Sequence, residues 1–185
     1  MAGAQKKADD EERTIIFADQ SGFYLLPMAV RTYAPRGKTP LLSETRTRDH
    51  LSVMAGVTPG GKLYQLTQEE SFTGVAVVRF LKHLLRQVRG KLLVLWDGAP
   101  IHRCQEVKTF LTEGGAQRLH LEVFPGYSPD LNPQEGVWGY LKRVELGNVC
   151  CHDLSELTQE LKKAIHRLRH KTDILKACIG QPGFY

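Results

Sequence analysis

Two uninterrupted apolar runs are the strongest pattern in the chain. One covers Leu92 to Trp96, and a similar run, apolar after its first residue, covers Thr14 to Ala18. Runs of this length without polar alternation are typical of strands that are buried on both faces of a sheet. Asp97 follows the first run and Asp19 the second, and residues 20–23 carry the Ser and Gly of a turn. Each run therefore predicts a buried strand that ends at an aspartate.

The remaining patterns predict three more strands and four helices. Residues 50–57 and 62–67 are separated by the turn sequence Thr58-Pro-Gly-Gly61 and therefore predict a hairpin. Apolar residues at three- and four-residue spacing predict the helices, and the last of them starts at Asp153, which is a good N-cap. The other elements are a helix over residues 72–89, a helix between Pro100 and Gly114, a strand over residues 118–124 and a helix from Pro133.

This order of elements predicts an α/β fold with one mixed, five-stranded sheet flanked by helices. The first three strands are joined without helices and pair antiparallel, whereas the later strands are joined through helices and pair in parallel. No internal repeat or long linker divides the 185 residues, so we predict one domain over residues 14–185. Residues 1–13 mix both signs of charge without apolar periodicity, and we predict a mobile segment there.

Three carboxylates are candidates for chemistry at one edge of this sheet. If the strands that end at Asp19 and Asp97 are parallel neighbours, both side chains meet where open α/β sheets bind ligands. Glu135 lies at the third position of a helix that Asn132 caps and Pro133 begins, and this helix can reach the same edge. Each acid also has a structural alternative, because both aspartates suit turns and Glu135 suits a capping box.

Three acids gathered in a dry site repel one another unless divalent cations are bound. All-oxygen ligation suits Mg²⁺ or Mn²⁺. Two such ions about 4 Å apart activate the attacking oxygen and stabilise the leaving oxygen when a phosphodiester is attacked in line. The chain contains no GxSxG, P-loop or CxxC motif, and Cys150-Cys151-His152 lacks the spacing of a zinc site. The sequence therefore favours metal-dependent phosphodiester chemistry over a protein nucleophile.

The charge pattern favours a polyanionic partner. The formal net charge is +5, and Arg31, Arg36 and Lys38 lie in a loop rich in Pro and Gly, where they are candidate contacts to a phosphate backbone. A solvated loop with ordinary charges is the alternative. No apolar run approaches the ~20 residues that span a bilayer, and residues 1–13 lack the apolar region of a signal peptide. We therefore expect a cytoplasmic protein without a membrane partner.

Three motifs match those of a known family and occur in that family's order. They are Asp19-Gln-Ser-Gly-Phe23, Trp96-Asp-Gly-Ala-Pro-Ile-His-Arg103 and Tyr127-Ser-Pro-Asp-Leu-Asn-Pro-Gln-Glu-Gly-Val-Trp138. Together with the loop from Ala34 to Pro40, they resemble the catalytic-domain signatures of DDE transposases, most of all the bacterial insertion-sequence branch related to the mariner superfamily. The resemblance implies an RNase H-like fold in which Asp19, Asp97 and Glu135 are the catalytic triad and bind two Mg²⁺ ions, with Mn²⁺ as a substitute.

The resemblance also implies a cut-and-paste reaction on DNA. Water attacks the backbone at the inverted repeats that end the transposon, and the freed 3′-OH then attacks target DNA, with TA as the family's expected target. A dimer on DNA in the bacterial cytoplasm is expected. His102 and Arg103 resemble the family's His-Arg or His-Lys pair, which implies contact with DNA, and a purely local structural role is the alternative. Lys142 and Arg143 are further candidate DNA contacts.

Two departures from the family pattern change the expectations. Gln20 stands where members commonly have Glu directly after the first Asp, but strand alternation points this residue away from Asp19, so the triad should survive. Relatives also carry an N-terminal helix-turn-helix DNA-binding domain, whereas Asp19 is almost at the start here. We therefore expect the DNA-binding part to be supplied separately. An inactive or regulatory DNA-binding remnant and an RNase H-like nuclease without transposition are the competing hypotheses.

Overall fold

The protein is built on one mixed sheet of five strands. The computed structural model describes residues 2–42, 47–124 and 132–180. The strands are β1 (Arg13–Tyr24), β2 (His50–Val57), β3 (Leu63–Gln68), β4 (Lys91–Trp96) and β5 (Leu119–Val123). Their order in the sheet is β3-β2-β1-β4-β5. The first three strands pair antiparallel, and β4 lies parallel to both β1 and β5, which confirms the predicted α/β fold.

Helices pack on both faces of this sheet. In the described residues the α-helices are α1 (Ala2–Asp10), α2 (Gly74–Gln87), α3 (Gln105–Thr112), α4 (Pro133–Tyr140), α5 (Leu154–Arg169) and α6 (Thr172–Ile179). A 3₁₀ turn over Pro100–Arg103 precedes α3, and a π-helical turn over Leu141–Glu145 follows α4. Of these described helices, none is long and apolar enough to cross a membrane.

The core divides into two clusters, one on each face of the sheet, because successive side chains of a strand point to opposite faces. Along β1, Ile15 and Phe17 join a cluster that includes residues of α4, α5 and α6. Ile16 and Ala18 join the other cluster, which includes residues of α2 and α3. The next two residues of β1 continue this alternation and contact opposite faces. The prediction that Gln20 points away from its neighbouring aspartate is therefore confirmed.

The helix caps predicted from the sequence are present. The side chain of Asn132 accepts a hydrogen bond from the backbone N–H of Gln134 at 3.1 Å, and α4 begins at the residue between them. Asp153 accepts from the backbone N–H of Glu156 at 2.8 Å at the start of α5. These side chains satisfy N–H groups that the first helical turn leaves without partners. The cap on α4 sets where this helix starts, and therefore where it carries Glu135.

The local structure differs from the predictions near the N-terminus. Residues 20–23 do not turn, so this prediction is wrong: β1 continues to Tyr24 because β2 pairs with it along this whole segment. Residues 1–13, where the sequence predicts a mobile segment, contain α1. Ala4 and Ala8 lie one turn apart on this helix and are buried in the core. Helix α6 was not among the predicted elements.

Candidate active site

Asp19 and Asp97 lie where two parallel strands stop pairing. The pairing of β1 with β4 runs from Arg13↔Lys91 to Phe17↔Leu95. Both aspartates follow the last pair by two residues, so the register places them at the same level on adjacent strands. Beyond this point β1 continues beside β2, whereas β4 ends. Open α/β sheets bind ligands at such points.

Asp19 is a buried carboxylate. It is 9% exposed, and its Oδ2 accepts a hydrogen bond from the indole Nε1–H of Trp138 at 2.9 Å. The pKa of Asp19 is raised to about 6, mainly because burial disfavours the charged form. The nearby charges of Glu135 and Asp97 act in the same direction, whereas hydrogen bonds from the backbone of Gln20 and from Trp138 oppose them. A cation bound here would compensate the buried negative charge.

Asp97 is more open to solvent, with 54% of its side chain exposed. Its Oδ1 accepts a hydrogen bond from the backbone N–H of Ala99 at 3.1 Å, as in an Asx turn, and lies 2.8 Å from Nδ1 of His102. The turn role considered for Asp97 is therefore present, and it engages one carboxylate oxygen. Among the described residues, none donates a hydrogen bond to the other oxygen, Oδ2, which leaves this oxygen for a ligand.

Glu135 approaches the two aspartates from α4. Its side chain is exposed and, in the part of the chain that the structure describes, makes no hydrogen bond to the backbone of Asn132, whose own side chain forms the cap. Trp138 follows one turn later on the same side of the helix, and its bond to Asp19 ties α4 to β1. The charge of Glu135 acts on both Asp19 and Lys142. The structure thus brings the three acids to one end of the sheet.

The chemistry of the three carboxylates suits a hard cation, but their side chains are not arranged around a common cation position in this structure. Within the described ranges, no three His, Cys, Asp or Glu side chains are grouped closely enough to hold a metal ion. One oxygen of Asp19 is engaged by Trp138 and one of Asp97 by His102. The donor set is nevertheless all oxygen, and its mutual repulsion contributes to the raised pKa of Asp19. Glu135 is exposed, so its side chain can rotate toward a cation without disturbing the core, and Asp97 offers its open Oδ2.

Lys142 places a half-buried cation beside the acids. It belongs to the π-helical turn after α4, and such turns are frequent at functional sites. Its Nζ donates to Oγ of Ser21 at 2.7 Å and lies 5.3 Å from the centre of the Phe23 ring. Burial lowers the pKa of Lys142, and the charges of Glu135 and Asp19 oppose that effect. This candidate DNA contact therefore falls next to the carboxylates.

The structure places His102 differently from the sequence-based expectation. It is 4% exposed, and its ring stacks on Trp96 with the ring centres 4.1 Å apart. A side chain buried in this way does not reach a DNA backbone, so the expected DNA contact of His102 is corrected to a position inside the protein. Arg103, which follows it, is exposed, and its guanidinium donates to the backbone carbonyl of Gly98 at 2.9 Å.

The other candidate DNA contacts are exposed. Arg31, Arg36 and Lys38 lie in a segment without regular secondary structure, and Arg143 lies on the π-helical turn. No described hydrogen bond or ion pair ties these four side chains to the carboxylates. Residues 127–131 of the third motif lie outside the described residues.

Two contacts around the acids were missed by reasoning from the sequence. Trp138 contacts Asp19, and Gln20 contacts His102 beside the other aspartate. The three-residue spacing between Glu135 and Trp138 already places both on one helix face, which was a usable signal. No comparable local signal pointed to the contact of Gln20, because its partner belongs to a different element.

Comparisons with known proteins relate this architecture to transposases. No curated protein sequence matches the chain significantly. Among solved structures, the Mos1 strand transfer complex is similar with a TM-score of 0.62 at 17% identity, over 97% of this chain and 59% of that chain. The mariner Mos1 paired end complex with Mg has a TM-score of 0.60 at 16% identity, over 97% and 61%. The catalytic domain of Mos1 mariner transposase has a TM-score of 0.56 at 13% identity, over 100% and 92%.

At these identities the structural similarities concern the fold. The fold shared with these Mos1 structures, one of which is the catalytic domain alone, confirms the expected RNase H-like fold. The chain spans less than two thirds of the Mos1 chains in the two complexes. A family model described as DDE superfamily endonuclease matches residues 14–158, which are most of the chain and include all three acids. The chain therefore belongs to the DDE superfamily endonucleases, as its three motifs indicate.

Proposed function

We propose that residues 14–185 are the catalytic domain of a cut-and-paste DNA transposase. The observation that supports this function best is the approach of Asp19, Asp97 and Glu135 at one end of the sheet, in a member of the DDE superfamily endonucleases. In the proposed reaction, water hydrolyses a phosphodiester at each transposon end, and the freed 3′-OH attacks a phosphodiester of target DNA. Both steps are in-line attacks on phosphorus that need no protein nucleophile.

Asp19, Asp97 and Glu135 would hold two Mg²⁺ ions, for which Mn²⁺ can substitute. When bound, such ions lower the pKa of the attacking water and stabilise the leaving oxygen. The all-oxygen donor set and the raised pKa of Asp19 support this assignment. Two of the similar structures are Mos1 paired end complexes with Mn and with Mg.

The surrounding side chains hold the acids in place and supply positive charge. Trp138 fixes one oxygen of the buried Asp19. Phe23 packs edge to face against Trp138, with ring centres 5.9 Å apart, and excludes water from the apolar side of the site. Lys142 interacts electrostatically with Glu135 and Asp19, so its ammonium group lies where it can contact the phosphate that is attacked.

DNA is proposed to contact five exposed basic side chains and the half-buried Lys142 beside the acids. Lys and Arg contacts to phosphates release counterions, so binding should be independent of sequence and should weaken steeply with salt. His102 is left out of the set because it is buried. The proposed contacts are Arg31, Arg36, Lys38, Arg103, Lys142 and Arg143.

Recognition of the transposon ends is proposed to come from a DNA-binding domain or partner chain other than residues 14–185. We propose a dimer on DNA, so that two active sites process the two inverted repeats, with TA as target. Two similar structures support this proposal. They are a paired end complex and a strand transfer complex of Mos1, and this chain covers 61% of the Mos1 chain in the first and 59% in the second.

The first test is Mn²⁺-dependent nicking of supercoiled plasmid DNA at low salt. Asp97→Asn removes one acid while sparing the core, because the side chain is half exposed. Asp10→Asn makes the same chemical change on the exposed end of α1 and is the matched control. We expect nicking that requires Mn²⁺, persists in Asp10→Asn and disappears in Asp97→Asn. Cutting by Asp97→Asn at the wild-type rate would contradict the proposed mechanism.

Product analysis separates the competing functions. Strand-transfer products from pre-cleaved ends, formed only with a supplied DNA-binding partner, would favour the transposase. Hydrolysis of any DNA or RNA–DNA hybrid without end sequences would favour a nuclease. The inactive remnant is favoured by one observation, namely that one oxygen each of Asp19 and Asp97 is engaged by a protein donor. Salt-sensitive DNA binding without any metal-dependent cleavage would support the remnant instead.

A further inference from the structure

The most unusual polar side chain near the acids is the imidazole of His102. Only 1% of this side chain is exposed, and its ring lies flat on the ring of Trp96, with an interplanar angle of 7°. Buried polar groups need hydrogen-bond partners, because an unpaired one loses its contacts to water without compensation. Both ring nitrogens of His102 have partners, and both partners belong to the candidate active site.

The Nδ1 side of the ring faces Asp97. Nδ1 lies 2.8 Å from Oδ1 of the Asp97 carboxylate and 3.1 Å from the backbone carbonyl oxygen of the same residue. Both of these oxygens accept hydrogen bonds and cannot donate them. Nδ1 therefore carries a proton and donates it to Asp97.

The Nε2 side of the ring faces Gln20. Nε2 lies 3.1 Å from Nε2 of the Gln20 amide, and an amide nitrogen can only donate. A ring nitrogen that carries no proton accepts a hydrogen bond from this amide. Gln20 thus selects the imidazole tautomer whose single N–H points at Asp97.

Asp97 has little else to hold its side chain. It follows the end of β4, half of its side chain is exposed, and its other described donor is the backbone of Ala99 in the local turn. Both donors engage Oδ1, and among the described residues none engages Oδ2. The carboxylate is therefore held by one oxygen with the other left open, which is the arrangement that a monodentate ligand of a cation requires.

We propose that Gln20 and His102 are positioning residues that orient the carboxylate of Asp97 for divalent-cation binding. This inference rests on the proposed function, since it assigns Asp97 as a ligand. The chain of contacts runs from the Gln20 amide through the imidazole to Oδ1 of Asp97, and the stacking on Trp96 holds the ring in plane. Loss of a hydrogen-bond partner that orients a metal ligand typically costs about 10- to 100-fold in metal affinity.

The test compares three substitutions at position 102 in the full chain. The side-chain nitrogen of Asn can occupy the place of Nδ1 and donate to Asp97, whereas the side chain of Gln extends to the place of Nε2, where its carbonyl oxygen can accept from the Gln20 amide. His102→Asn can therefore retain the bond to Asp97, and His102→Gln can retain only the contact to Gln20. His102→Ala retains neither, and Gln20→Ala removes the group that selects the tautomer. His166→Asn, on the exposed face of α5, is the matched control.

The measurement is the dissociation constant of Mn²⁺, from the electron paramagnetic resonance signal of free Mn²⁺, with and without a DNA duplex. Melting temperatures are recorded on the same samples. We expect His102→Ala and His102→Gln to weaken Mn²⁺ binding by about 10- to 100-fold. His102→Asn should recover most of this loss, Gln20→Ala should show a smaller loss, and His166→Asn should bind as the wild type does. A merely structural role would lower the melting temperature without separating Asn from Gln in Mn²⁺ affinity.

The measurement distinguishes a failure of this inference from a failure of the proposed function. If the wild type binds Mn²⁺ and the folded His102→Ala and His102→Gln proteins bind it equally well, the inference is overturned and the proposed function stands. If the wild type binds no Mn²⁺ with or without DNA, the proposed function is contradicted, and the inference with it.

Discussion

Replacement of Asp19 by Asn should remove a pH dependence from the stability of the metal-free protein. Burial raises the pKa of Asp19 in the folded chain to about 6, from an ordinary value of 3.8. Between these pH values the folded protein keeps a proton that the unfolded chain has released, so the free energy of unfolding falls as pH rises. Above about pH 6 the ionised, buried carboxylate costs the wild-type fold about 3 kcal/mol. An amide at this position does not ionise.

Urea unfolding from pH 4 to pH 7 in the presence of a chelator measures this effect. The difference in free energy of unfolding between Asp19→Asn and the wild type should change by about 2.4 kcal/mol in favour of the variant between pH 4 and pH 7, because part of the full effect is already present at pH 4. A constant offset from altered hydrogen bonding to Trp138 does not affect this change with pH. Asp10→Asn controls for replacing a carboxylate by an amide elsewhere. A difference that stays constant from pH 4 to pH 7 would refute the assignment of Asp19 as a buried ionisable acid.

Saturating Mn²⁺ should reverse the fall in the free energy of unfolding that the wild type shows as pH rises. A cation binds the ionised carboxylate, and this binding stabilises the folded state only. The wild type should therefore gain stability with Mn²⁺ above pH 6, and Asp19→Asn should gain much less. Equal gains in both proteins would argue against Asp19 as a ligand.

Three further predictions concern stability and DNA binding. Gln134 is fully buried, and neither of its side-chain polar atoms has a hydrogen-bond partner among the described residues, so Gln134→Leu should raise the free energy of unfolding by about 1–3 kcal/mol. A fall in the urea midpoint would be the opposite of this expectation. Arg118 donates to three backbone carbonyls at the end of α2 and just beyond it, so Arg118→Ala should cost about 1.5–3 kcal/mol in the same assay. An unchanged midpoint would mean that these bonds do not stabilise the fold. Fluorescence anisotropy with duplex DNA measures how the binding constant falls with salt concentration. For Arg143→Gln, the plot of log binding constant against log salt concentration should become less steep by about 0.9. The same slope in both proteins would exclude a phosphate contact at Arg143.

Most elements could be predicted because their signals are local. The apolar run at Leu92 to Trp96 corresponds to β4, and the caps Asn132 and Asp153 begin α4 and α5. Hydrophobic periodicity and capping act over a few residues, so they survive in the sequence without knowledge of the fold. The candidate acids were found for the same reason, since each lies next to such a signal.

The turn predicted at residues 20–23 was wrong because pairing with another strand decided the outcome. Ser21 and Gly22 are typical of turns, yet β1 runs through them to Tyr24. Hydrogen bonds to β2 along this segment outweigh the local preference. As a result Asp19 lies inside a long strand and its neighbour Gln20 is directed to the opposite face.

The sequence by itself determined the order of most strands and helices and the mixed character of the sheet, and it pointed to the three candidate acids. Only the tertiary structure decided how those acids are held. Asp19 is buried against Trp138, which lies 119 positions along the chain, and Gln20 reaches His102 across 82 positions. Contacts of this kind depend on strand order, register and the face on which each helix packs, and those quantities are set by pairing between distant segments rather than by any local pattern.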